Sequence, residues 1–201
     1  MPTFLQEERD IDRMIGKARR FKALVLDLRD NGGGYVQTLE HLVSRLIDHK
    51  VLVSVERRRR KVDTTWARPR APFTGALVVL VNSRSASAAE MLARIVQLER
   101  RGTVIGDQTA GAVMTSRGFD EVTSGGRNVA YGVNVTIGEV RMADGMSLEG
   151  TGVRPDEVVR PTAHDLVRRR DPTLARAVAL LGGGDSLSAE EGGALFPIEW
   201  P

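Results

Sequence analysis

An α/β fold is predicted by three features of the chain: an unbroken apolar run at residues 76–81, a second at residues 23–28, and a stretch of helical apolar spacing after each. Continuous β-branched runs of this length suit strands covered on both faces, the condition found in sheets flanked by helices. Glycine- and serine-rich corners separate each strand from its helix, which fixes the alternation of elements.

The elements follow in chain order. Residues 10–20 place Ile11, Met14, Ile15 and Ala18 on one helical face. The strand at 23–28 runs into Asn31-Gly32-Gly33-Gly34, and a helix spans residues 36–47. Residues 51–56 and 62–66 read as a hairpin around the basic run Arg57 to Lys61. Pro69, Pro72 and Gly75 lead into the strand at 76–81, after which Ala88, Met91, Leu92, Ile95 and Val96 recur at helical spacing. A short strand at 103–106 precedes a loop at 107–113. Alternating apolar positions over 118–140 predict antiparallel strands with a turn at 124–127, and residues 172–181 predict a closing helix. The expected organisation is one domain over residues 1–182 and a glycine- and acid-rich tail over 183–201.

Composition bounds the function. The chain has 201 residues, 41% hydrophobic and 27% charged, enough for one domain with a proper core. No apolar run approaches the roughly 20 residues that span a bilayer, so no membrane partner is expected in this segment. There is no cysteine, which excludes disulfides and thiolate chemistry. The histidines lack ligand spacing and the acidic residues form no calcium-loop pattern, so no metal or other cofactor is expected. Net charge is +3, with basic clusters at 57–61 and 168–170. Aromatic residues are too few to stack bases, so these clusters read as solvated edges rather than a nucleic-acid surface.

Two corners carry chemistry. Ser85 to Ser87 fall at a helix N-terminus, where free N–H groups and the helix dipole favour an alkoxide and an oxyanion. The same residue types also serve as plain N-caps. The triple glycine lets backbone N–H groups approach a ligand, although alone it is equally a tight turn. It is not a phosphate loop, because the closing Lys-Ser/Thr is absent.

Four stretches occur in one order: D-L-R-D-N-G-G-G, V-L-V-N-S-R-S-A-S-A-A-E, V-I-G-D-Q-T-A-G and G-V-R-P-D. This set resembles the C-terminal processing (tail-specific) serine peptidases over residues 24–181. The resemblance implies a crotonase-like catalytic domain, a mixed sheet with flanking helices. It also implies Ser87 as nucleophile, and oxyanion donors at the N–H of Ala88 and of Gly33 or Gly34. Peptide or protein would be the substrate, oligomer formation is compatible with it, and the compartment would be periplasmic, secreted or cell-envelope in a bacterium. In the best-known branch a lysine is the general base. Here Ala112 stands at that position and Ser116 replaces the glutamine four residues later, so the chain looks like the lysine-free, tricorn-like branch. In that branch a histidine from an upstream segment serves the serine, and a glutamate, matching Glu149, orients the imidazole. Without the resemblance Glu149 reads as a solvated loop carboxylate. His41, His49 and His164 match no catalytic histidine, so the chain is expected to lack an upstream segment. A non-catalytic ligand-binding module of the same fold is the alternative.

Overall fold

The computed structural model describes residues 1–123 and 129–182, so the expected turn at 124–127 and the tail at 183–201 lie outside the described residues. The elements are α1 (Glu8–Ala18), β1 (Ala23–Asp27), α2 (Val36–Leu46), β2 (Val51–Arg58), β3 (Lys61–Ala67), β4 (Ala76–Val81), α3 (Ala88–Leu98), β5 (Thr103–Gly106), β6 (Met114–Thr123), β7 (Val129–Arg141), β8 (Glu157–Val158), α4 (Ala163–Val167) and α5 (Pro172–Leu180).

The strands form an α/β arrangement of two four-stranded sheets, ordered β1-β4-β5-β8 and β3-β2-β7-β6. Every pairing in the first is parallel and every pairing in the second antiparallel. Parallel and antiparallel pairs are thus segregated rather than combined in one mixed sheet. The physical division is visible in the connections. α2 and the β2–β3 hairpin connect β1 to β4 and α3 connects β4 to β5, whereas β2–β3 and β6–β7 are antiparallel pairs of consecutive strands.

β4 explains the unbroken apolar run. It lies between β1 and β5, and its side chains alternate between two cores. Leu77, Val79 and Val81 join the large cluster with Leu39, Leu42, Leu92 and Ile95, while Val78 and Leu80 face Ile105 and Ala177. A strand with apolar cover on both faces has no position left for a polar side chain. α3 is similarly enclosed: Ala88, Ala89, Met91, Leu92, Ala93, Ile95 and Val96 are all buried. The basic run Arg57 to Lys61 forms the exposed end of the β2–β3 hairpin, with Arg59 in the left-handed region at φ 50°.

α5 is tied to the end of β1. Asp171, buried, accepts the Leu174 N–H at 2.9 Å as N-cap and also accepts from Arg29 at 2.9 Å. Arg29 in turn chelates Asp27. α4 is an addition to the expected elements; Thr162 and Asp165 cap it reciprocally. Among the described residues no helix is long and apolar enough to cross a membrane.

Candidate active site

Ser87 is the N-cap of α3, with φ 54° and ψ −120°. A non-glycine residue at positive φ is strained by about 1–3 kcal/mol and is retained only where its surroundings over-determine it. Those surroundings are specific. The Ala86 N–H donates to Asn31 O at 2.9 Å, fastening the serine loop to the glycine corner. On the other side the Ser87 N–H donates to Ala112 O at 3.1 Å and to Glu90 Oε2 at 3.0 Å, and the Ala110 N–H donates to Ser85 O at 3.0 Å. The residue before Ser87 is therefore held by the 31–34 corner and Ser87 itself by the 109–113 loop.

The corner can approach this closely only because residue 33 is glycine. Gly33 has φ +95°, and a β-carbon there would lie 2.6 Å from Ser87 Cβ and 3.0 Å from the Ala88 nitrogen. Residue 4 holds the corner from behind: Phe4 N–H donates to Gly33 O at 2.8 Å and Tyr35 N–H to Phe4 O at 3.1 Å. Within this parallel bridge the N–H of Gly34 faces away from the residue 4 strand. Among the described residues no internal hydrogen bond uses the N–H of Ala88 or Gly34, whereas the Gly33 N–H donates to Asn31 Oδ1 at 2.8 Å.

Glu149 approaches the same loop one residue further on, where its Oε2 accepts the Val113 N–H at 2.6 Å. The Gly150 N–H donates to Gly111 O at 2.8 Å, pinning the glutamate's loop beside residues 111–113. Ser87 and Glu149 are thus brought to adjacent residues of one segment, Ala112 and Val113. Ala112 is exposed, and so is Ser116 on β6.

The histidines lie elsewhere. His41 is buried between α1 and α2, 2.7 Å from Asp12 and 3.2 Å from Glu8. His49 bonds Asp48 at 2.9 Å and Glu99 at 2.8 Å, and these carboxylates raise its pKa. His164 is exposed on α4. None bonds to residues 85–90, 109–113 or 149 among the described residues.

The sequence reading passed over the residue that joins these parts. Glu90 is fully buried, and its carboxylate accepts from the Ser87 N–H at 3.0 Å, the Ala112 N–H at 3.0 Å, the Gly111 N–H at 2.7 Å and Thr109 Oγ1 at 2.6 Å. The Thr109 hydroxyl meanwhile accepts the Val153 N–H at 2.6 Å. One carboxylate therefore ties the start of α3 to the loop that carries Ala112, and through Thr109 to the G-V-R-P-D turn. The signal was present in Ser87-Ala88-Ala89-Glu90, which has the spacing of a capping box. Ser85 is likewise structural: buried, it donates to Leu28 O at 2.8 Å.

The family model described as peptidase family S41 matches residues 1–159. A carboxyl-terminal-processing protease of Synechocystis sp. is 29% identical over 167 residues, spanning 82% of this chain and 38% of its own length. A putative tricorn protease homolog of Streptomyces coelicolor is 28% identical over 158 residues, 79% of this chain and 13% of its own. The crystal structure of a putative peptidase from Parabacteroides merdae superposes with TM-score 0.72 at 24% identity, covering 93% of this chain and 61% of that one. The chain thus spans less than two fifths of the length of both relatives. Since the matched span runs from the first residue through β8 and holds every segment that borders Ser87, the chain belongs to peptidase family S41.

Proposed function

We propose that this chain is the catalytic part of a serine endopeptidase, of crotonase-like fold, that hydrolyses peptide bonds in unfolded or C-terminal segments of proteins. The observation that carries the reading is the backbone of Ser87, held at φ 54° against a glycine whose missing side chain leaves the space. Ser87 Oγ attacks the scissile carbonyl carbon and passes its proton to an imidazole, which hands it to the leaving amine; water then hydrolyses the acyl-enzyme by the same relay. The oxyanion is held by the Ala88 N–H, at the positive end of α3, and by an N–H of the glycine corner. Gly34 has an uncommitted N–H for this role, while Gly33 serves only if Asn31 releases it. Glu149 orients the imidazole that takes the serine's proton, a part Ala112 cannot play because it has no proton acceptor.

The experiment is turnover of an unfolded protein by the full-length protein, compared with its Ser87→Ala variant. The reading expects cleavage that Ser87→Ala lowers by about a thousandfold or more. Equal rates for the two would remove Ser87 from the chemistry. The placing of His41 against Asp12 and Glu8 and of His49 against Asp48 and Glu99 favours the second reading, a non-catalytic ligand-binding module, which an intact protein without turnover would support.

A further inference from the structure

β6 is the outermost strand of the antiparallel sheet, paired with β7 and with no other strand among the described residues. It starts at Met114, directly after the segment in which Ala112 and Val113 receive Ser87 and Glu149. Residues Ser116 to Phe119 are all exposed. β7 pairs with β2 only at Glu139 to Arg141, so this part of β6 belongs to a two-stranded ribbon standing beyond the sheet. Such ribbons are marginal in water on their own.

One face of the ribbon is built for contact. Arg117 lies opposite Val135 and Phe119 opposite Val133, with the Arg117 guanidinium 5.3 Å from the centre of the Phe119 ring. Phe119, Val133 and Val135 are 48%, 54% and 43% exposed. Residues 114–119 carry no proline to blunt the edge.

Resting on the peptidase reading, we infer that an extended substrate segment adds to the free edge of β6 as a further strand, and that Arg117 and Phe119 form a subsite for an acidic side chain next to an apolar one. Main-chain bonds to an edge hold any unfolded segment, and specificity then comes from alternate side chains. The polypeptide leads from Ala112 beside Ser87 straight into this edge. Arg117 lies five positions after Ala112, about 17 Å along an extended chain, so the acidic residue is set about five positions from the scissile bond. A carboxylate laid beside Arg117 gains its charge while the neighbouring apolar side chain covers Phe119 and Val133.

The test uses the Ser87→Ala form of the full-length protein and fluorescent, end-blocked, unstructured peptides that carry one glutamate or one lysine in the same apolar sequence. The glutamate peptide is expected to bind about fivefold tighter. Arg117→Glu should invert the preference, and Arg117→Gln should abolish it. N-methylation of alternate peptide nitrogens should abolish binding in one register and leave the other intact. Equal binding of the two peptides, no measurable binding of either, a preference unchanged in Arg117→Glu, or indifference to N-methylation would overturn the inference. Fluorophosphonate labelling of the wild-type protein separates it from the reading beneath it. Labelling at Ser87 without charge preference removes the β6 subsite alone, whereas charge preference without labelling removes the peptidase and keeps β6 as a peptide-binding edge.

Discussion

At the scale of single residues the site is a problem of backbone placement. Ser87 is held at positive φ by its N–H bonds to Ala112 O and Glu90, and the same Glu90 carboxylate accepts three further bonds from Thr109, Gly111 and Ala112 in the facing loop. Glu90→Gln keeps the volume but turns an amide N–H₂ toward groups that already donate, leaving at least one buried donor unsatisfied. The expected cost is about 1–3 kcal/mol, measured as a lower midpoint of urea unfolding with an unchanged slope. Gly33→Ala acts differently, because the new methyl meets Ser87 Cβ at 2.6 Å and residue 33 must also hold φ +95°. We expect a destabilisation of about 1 kcal/mol or more together with loss of Ser87 reactivity toward a fluorophosphonate, whereas Gly32→Ala, where no heavy atom lies within 4 Å, should retain reactivity.

At the scale of elements, caps and strand burial decide the architecture. Asp171 caps α5 and pairs with Arg29, so Asp171→Ala removes a cap and half of the acid cover on a largely buried guanidinium. The expected loss is about 1–3 kcal/mol, seen as a lower melting temperature. His49 links the loop after α2 to the residue that ends α3 through Asp48 and Glu99, and those bonds raise its pKa above the ordinary value of 6.5. A raised pKa means the folded state holds the proton more tightly. This stabilisation is full below pH 6.5 and fades as pH climbs through the raised value. His49→Gln should therefore flatten the fall in melting temperature on the alkaline side of pH 6.5, by a small amount because the pair is exposed.

At the scale of the whole molecule, what could be read from the sequence was what local pattern determines. The run at 76–81 announced a strand covered on both faces, and β4 alternates Leu77, Val79 and Val81 with Val78 and Leu80 between two cores. The glycine corner and the serine loop were recognisable as strand-to-helix turns, and their ordered motifs gave the family. Three things were not legible. The division into two sheets depends on which strands pair at long range, a choice that β-branched composition leaves open. The short helix α4 rests on a single capping box of Thr162 and Asp165. The Glu90 hub joins residues 19 to 22 positions apart, and only the tertiary fold brings Thr109, Gly111 and Ala112 to its carboxylate. His41 illustrates the converse: its place in the α1–α2 contact with Asp12 and Glu8 gives a histidine on a helix a structural role.

The chemistry proposed for this site requires Ser87 to be the activated hydroxyl of the assembled protein. Fluorophosphonate treatment of the full-length protein, followed by peptide mapping in a mass spectrometer, tests this most directly. The expected result is a single phosphonylated peptide modified at Ser87 and none in the Ser87→Ala variant; modification at another serine, or a correctly folded protein that takes up no label, would rule out Ser87 as the nucleophile.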